Sequence, residues 1–180
     1  MEEKGSMLVN TCDFANVRPI MADLPYPRVE VKEKNPRYAN LLSIDYCGSV
    51  SEMSAITQYI NNESRLSGGN CPMAQTILGI AMAEMVHLQK LAALIILLGG
   101  NVDYVAKYRD GQQKMWTPQY ITMEENTGSI LRAGIESEKQ AIRQYRMHMK
   151  MIKDDHVNAV IARIIKDEEY HIMLLQAMMR

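Results

Sequence analysis

Cysteine is scarce in this chain and odd in number. The three, Cys12, Cys47 and Cys71, stand far apart and form no C-x-x-C pair, which argues against a disulfide framework and against a zinc or rubredoxin-type module. Reduced thiols are expected. Phenylalanine occurs once, proline and glycine are few outside short clusters, and methionine occurs 15 times, a balance that disfavours sheet and favours helices. No basic block disturbs the near-even charge of 20 Lys+Arg against 21 Asp+Glu, so neither nucleic acid nor an anionic membrane is an expected partner. Long apolar runs are missing as well. The longest, Leu91 to Leu98, is too short to span a bilayer, and the opening MEEKGSMLVNTCDF carries acids where a signal peptide needs a basic region and an apolar run. These absences predict a cytoplasmic protein. What remains, 180 residues of which 47% are apolar, suits one domain with a proper core.

Residues 1–34 lack a sustained period and include RPIMADLPYPRVEV, so they read as an extended arm wrapped on a domain of residues 35–180. Asn35 and Pro36 form an N-cap and N1 pair, after which Leu41, Leu42, Asp45, Glu52, Ala55, Ile56 and Tyr59 recur at helical spacing up to NNESRLSGGN. A second helix starts at Asn70 and Pro72 and runs to Gly99 and Gly100. The segment NVDYVAKYRDGQQKMW has no clean period and is long enough to cross from one end of a bundle to the other. A third helix is expected from Thr117 and Pro118, or from a capping box at Thr122 to Glu125, and a fourth from Asp154 or Asp155. Two helical hairpins joined by one long connection predict an all-α, ferritin-like four-helix bundle.

Each apolar stripe carries a carboxylate where a Leu or Ala belongs: Glu52, Glu84, Glu138 and Glu168. Unpaired ionised carboxylates in a core cost several kcal/mol each or take up protons, so something must compensate four of them. No inward-facing set of Lys or Arg is visible in the sequence to do so. His87 and His171 each follow a stripe glutamate by three residues, in EMVH and EEYH, and positions i and i+3 lie about 60° apart on a helix, aiming both side chains at one point. Four carboxylates balance two divalent cations, and two neutral imidazoles complete the pair of sites. One Glu from each of two helices plus a Glu-x-x-His from each of the others is the dinuclear carboxylate arrangement of such bundles.

The frame E-x-x-A-I-x-Q-Y occurs twice, as EMSAITQY from Glu52 and EKQAIRQY from Glu138, as expected of two hairpins that each supply half of a two-metal site. Glu136 competes with Glu138, but the two differ by about 200° around a helix, and only Glu138 shares the stripe of Leu131, Ala141, Ile142 and Tyr145. Tyr59 and Tyr145 are placed either to reach a carboxylate on a neighbouring antiparallel helix or to serve as plain core residues. His148 and His156 lie too far along their axes to join the site and are expected in solvent. Gln58 and Gln144 are expected to point away from it. The methionines of MHMKM and QAMM suit helix packing or a subunit contact.

On these motifs the chain resembles the ferritin-like superfamily, closest to rubrerythrins and manganese catalases. YPRVEVKEKNPRYANLL followed by YCGSVSEMSAITQY is similar to the start of short manganese-catalase-like proteins. The resemblance implies that Glu52, Glu84, His87, Glu138 and His171 are metal ligands. It makes Glu168 a ligand, as in rubrerythrins, or an acid–base group, as in manganese catalases. Ala141 stands where rubrerythrins carry a further Glu, Ser137 stands where manganese catalases carry an Arg, and a rubredoxin module is absent. The expected cofactor is two iron or manganese ions. The expected activity is that of an oxidoreductase on hydrogen peroxide or dioxygen, with Glu168, Tyr59 and Tyr145 as catalytic candidates, a homo-oligomeric state and an external electron-donor protein as further partners. The alternatives are a ferroxidase or iron-storage protein and a non-catalytic metal-binding bundle.

Overall fold

The structure, a computed structural model, describes residues 12–180. The expected arm is only partly within it, since residues 1–11 lie outside the described residues; residues 12–34 run without helix or strand. The helices are α1 Pro36–Cys47, α2 Glu52–Leu66, α3 Cys71–Leu97, α4 Thr127–Met151 and α5 Asp155–Ala177. α2 packs on α3 and α4 on α5, giving two hairpins, while α1 lies against α3. A four-helix bundle of α2 to α5 results.

The first expected helix proves to be two. At Gly48 the chain turns out of α1 so tightly that a Cβ there would sit 2.6 Å from the Ile44 carbonyl oxygen. Ser51 then restarts the chain as N-cap of α2, accepting from the Ser54 amide at 3.2 Å. Glu52 thereby becomes the first residue of a helix, where a negative charge is favoured by the exposed amides. The start of α4 also differs from expectation. Asn126 is the cap and accepts from the Ser129 amide at 2.9 Å, whereas Thr117 and Pro118 open only a single 3-10 turn, Pro118–Tyr120. The caps at Asn35, Asn70 and Asp154 stand where the sequence puts them.

The connection between the hairpins contains a small antiparallel ribbon, β1 Val105–Lys107 with β2 Gln113–Met115, paired Ala106 to Lys114. Its turn includes Gly111 at φ +85°, a conformation glycine adopts without steric cost. α3 is long and apolar enough to cross a membrane by length and composition. In this fold it packs against α1, α2 and α5, and Glu84 and His87 are buried on it.

Two apolar clusters divide the core. One gathers Leu42, Leu91, Leu94, Ile142, Val160 and Ile164, and the other gathers Ile77, Ile80, Leu131, Ile135 and Leu175. On α3 the polar pair Glu84 and His87 falls between Ile80 and Leu91, and on α5 Glu168 and His171 fall between Ile164 and Leu175. A polar layer is thus sealed between two dry ones.

At Cys12, the first described residue, the arm is tied to α3 by a disulfide with Cys71. This overturns the expectation of three reduced thiols. Far separation in sequence is no obstacle once the arm folds back onto the N-terminus of α3; Cys47 alone is free, and it is buried.

Candidate metal centre

The six expected ligands are all buried and converge on one point of the polar layer. They form two groups, Glu52, Glu84, His87 and Glu168, and Glu84, Glu138, Glu168 and His171, each offering ligand atoms that lie within 4.8 Å of one another. Glu84 and Glu168 belong to both. His87 Nδ1 is 2.7 Å from Glu84 Oε2 and 3.3 Å from Glu168 Oε1. His171 Nδ1 is 3.1 Å from Glu84 Oε1 and 3.1 Å from Glu168 Oε2. Each shared carboxylate therefore turns one oxygen to each histidine. Glu136 is exposed and paired with Lys139 at 2.6 Å, whereas Glu138 is buried among the other carboxylates.

The outer faces of both imidazoles are engaged. His171 Nε2 donates to the Ile20 carbonyl at 2.8 Å, and His87 Nε2 faces Asp167 Oδ2 at 3.0 Å. Such partners fix ring orientation and leave Nδ1 for the interior. Asp167 is itself held by the Tyr26 hydroxyl at 2.6 Å, the Ala22 amide at 2.7 Å and Arg163 at 2.7 Å. Periodicity does not reveal this set, because Arg163 and Asp167 lie off the apolar stripe of α5 and are buried where the arm covers them. Ile20 can lie that close because Gly79 has no side chain: a Cβ there would sit 2.7 Å from Ile20.

Tyr59 donates to Glu138 Oε1 and Tyr145 donates to Glu52 Oε1. The two copies of the repeated frame thus exchange hydrogen bonds across the bundle. Burial, reinforced by the adjacent carboxylates, pushes both phenols well above their ordinary range, so both remain donors. His148 is buried rather than solvated, with Nδ1 2.7 Å from Asp45 Oδ2. Axial distance keeps it out of the ligand set, but it sits one turn after Tyr145 on the inward face. His156 is exposed beside Glu30. Gln58 does point away, bonding to Thr122. Gln144 does not; it donates to Asp45 Oδ1 and the Val50 carbonyl, both at 2.8 Å, and lines a narrow cavity beside Glu52.

Without cations the charges conflict. Burial and the neighbouring carboxylate Glu84 push Glu52 well up, and burial together with Glu168 and Glu84 pushes Glu138 to about 8. Burial opposes protonation of the histidines, yet the charges of Glu168 and Glu84 hold His87 well above its ordinary value, and bonds to Glu138, Glu168 and Glu84 do the same for His171. Raised in this way, these groups favour their protonated forms in the absence of cations. Glu84 Oε1 is buried and finds no well-aligned hydrogen-bond partner although His171 Nδ1 is 3.1 Å away, the geometry of two lone pairs aimed at a common third atom rather than at each other. Four carboxylates and two imidazoles in this arrangement fit two divalent ions of the iron or manganese type. His87 with Glu52 would serve one and His171 with Glu138 the other, and Glu84 and Glu168 would serve both.

Comparison with known proteins agrees with this geometry. The rubrerythrin family matches residues 48–179. A probable manganese catalase from Clostridium acetobutylicum is 26% identical over 161 residues, covering 80% of this chain and 71% of that protein. The crystal structure of a manganese catalase from Anabaena superposes with a TM-score of 0.74 at 25% identity, over 87% of this chain and 77% of that one. A bacterioferritin from Rhodobacter capsulatus, with a metal-free dinuclear site and haem iron, shares the fold at a TM-score of 0.66 and 21% identity, over 82% of this chain and 86% of that one. With its two hairpins, its doubled Glu-x-x-His and a family match that spans α2 to α5, the chain belongs to the rubrerythrin family.

Proposed function

We propose that the chain is a dinuclear manganese enzyme that disproportionates hydrogen peroxide. The observation that carries this reading is the sharing of Glu84 and Glu168, each with one oxygen toward each histidine. Two redox ions held there would take up and return the two electrons that O–O cleavage and peroxide oxidation exchange. The reaction balances without an outside reductant: one peroxide is oxidised to dioxygen, a second is reduced to two waters, and two protons pass from the first to the second. Manganese is preferred because both the Clostridium relative and the Anabaena structure carry that metal in their names.

The chain's own residues suit small substrates. The cavity at the site, bounded by Asp45, Ala55, Ser137, Ala141, Gln144 and the glutamates, is only about 10 Å³, room for about one water-sized molecule. Ala141 and Ser137, where related proteins carry larger groups, keep its wall open. Glu138, whose carboxyl is raised to about 8 only while the site is free of metal, would be ionised as a ligand once cations are bound. Tyr145 and Tyr59 hold Glu52 and Glu138 in orientation from opposite hairpins, and Glu168 acts as a shared ligand. The likeness to bacterioferritin supports a second reading, iron oxidation and storage in a cage-sized assembly, in which ferrous iron gives its electrons to dioxygen or peroxide.

Oxygen evolution from peroxide, with no reductant present, tests the choice. Manganese-loaded protein should release one dioxygen for every two peroxides consumed. Release of none, together with ferrous-iron oxidation by a large assembly on size-exclusion chromatography, would favour the second reading.

A further inference from the structure

A cavity far larger than the one at the metal centre lies elsewhere among the described residues. It is a cleft of about 800 Å³ between the start of α1, the β1–β2 turn and the end of α4, within the usual volume of small-ligand sites. Five cations line it: Arg37, Lys107, Arg109, Lys150 and Lys153. Among the described residues, no acid lines it. Elsewhere Lys32, Lys139, Arg146, Arg163 and Lys166 are each paired with a carboxylate. Among the described residues, none of the five in the cleft has a carboxylate within 4.0 Å. The nearest acid in sequence, Asp110, turns its Oδ1 to the Gln112 amide at 3.0 Å and serves the turn.

Helix-end electrostatics explains only part of this gathering. Lys150 and Lys153 stand at the C-terminal end of α4, where cations offset the exposed carbonyls, and Lys153 Nζ bonds the Lys150 carbonyl at 2.9 Å. Arg37, however, lies in the first turn of α1, the end of a helix that disfavours positive charge. Lys107 and Arg109 arrive on a third element. The walls are anchored: the Lys107 amide donates to Ser43 Oγ at 2.9 Å, the Lys153 amide donates to the Tyr38 hydroxyl at 3.1 Å, and Arg109 Nη1 rests on Met151 Sδ at 3.5 Å. In a chain of net charge −1, three separate segments thus converge like charges on one concave surface. Repulsion among them would be relieved by an anion of several charges.

We propose that this cleft binds a small polyphosphate anion, with Arg37, Lys107, Arg109, Lys150 and Lys153 as its phosphate contacts. Fixed guanidinium forks and mobile ammonium groups together suit neighbouring phosphoryl groups. The anion comes either as free inorganic polyphosphate or as the phosphate chain of a nucleotide, for which the rings of Tyr38 and Tyr108 on the cleft wall offer a flat surface. The metal centre cannot house such a ligand, since its cavity is about 10 Å³.

Titration calorimetry on the metal-loaded full chain tests the assignment, with inorganic tripolyphosphate and adenosine diphosphate as separate probes. Saturable binding with one site per chain is expected, weakened tenfold or more by the double variant Lys107→Gln, Arg109→Gln and by the exposed single variant Lys150→Gln. The control double variant Lys139→Gln, Lys166→Gln should bind as the parent does. Tighter binding of adenosine diphosphate that is lost in Tyr108→Ala identifies a nucleotide; equal binding of the two probes identifies the phosphate chain alone. Absence of saturable binding, or equal weakening in the control, overturns the proposal. So does binding that survives the cleft substitutions but follows metal content.

Discussion

Tyr145 on α4 donates its hydroxyl to Oε1 of Glu52 on α2, and Tyr59 on α2 returns the same bond to Glu138 on α4. The repeated frame has this physical use: each copy supplies a carboxylate and the hydroxyl that orients the other copy's carboxylate. Removing one hydroxyl leaves the carboxylate buried without its donor but does not remove a ligand. Tyr145→Phe should therefore keep nearly full metal content while peroxide turnover falls about 10- to 100-fold, the usual effect of losing an outer partner of a metal ligand. Metal content by elemental analysis beside the turnover assay checks this. Unchanged turnover would reduce both tyrosines to packing.

Glu138→Ala deletes a donor from the His171 half of the site and should lower bound metal to one ion per chain or fewer. Glu136→Ala, two residues away but exposed and paired with Lys139, should bind metal as the parent does. Elemental analysis of the two variants side by side reads the difference. The reverse pattern would mean that the α4 face is wrongly assigned.

Metal-free protein should become less stable as pH rises. Glu138 titrates near 8 in the fold against about 4.5 when unfolded, and His87 and His171 are also raised. A raised group contributes stability that is fully present below its unfolded value and is lost as pH climbs through its folded value. The Tm of chelated protein should accordingly fall between pH 5 and pH 8. Asp167, held down to about 2 by bonds from His87, Arg163 and Tyr26 against the opposing effect of burial, acts oppositely but only as pH drops below its ordinary value near 3.8. Metal loading must displace the protons on Glu52, Glu138 and both histidines, so proton release in calorimetry should accompany binding. A flat or rising Tm over that range contradicts the charge assignment.

Opening the Cys12–Cys71 bridge should loosen the arm whose Ile20 carbonyl and Tyr26 hydroxyl support the two histidines. Cross-links that close loops of this size typically stabilise by about 2–4 kcal/mol. Cys71→Ser, or treatment with a thiol reductant, is expected to lower Tm by several degrees and to speed metal loss to a chelator. Equal rates of metal loss with and without the bridge would show that the arm holds the histidines unaided.

The bundle and the converging side chains were legible because burying an acid is costly: Glu52, Glu84, Glu138 and Glu168 stand out against any apolar stripe. Phase alone separated Glu138 from Glu136. What stayed hidden depends on contacts between distant segments. Asp167 and Arg163 lie off the stripe and are buried by an arm with no period of its own, and Cys12 meets Cys71 through that same arm. The break at Gly48 falls inside a pattern that keeps helical phase from Leu41 to Tyr59, so periodicity ran across it. The ribbon at Val105 to Met115 did carry a signal, the Asp110-Gly111 pair, which favours a tight turn between strands. His148 was misjudged because distance along the helix decides ligation, whereas burial follows the face, which it shares with Tyr145.

Anomalous diffraction at the manganese edge, from crystals of metal-replete protein, tests the central claim most directly. The account predicts two peaks per chain in the polar layer, one beside Nδ1 of His87 and Glu52, the other beside Nδ1 of His171 and Glu138, with Glu84 and Glu168 contacting both. A single peak, or two peaks not joined by Glu84 and Glu168, would contradict it.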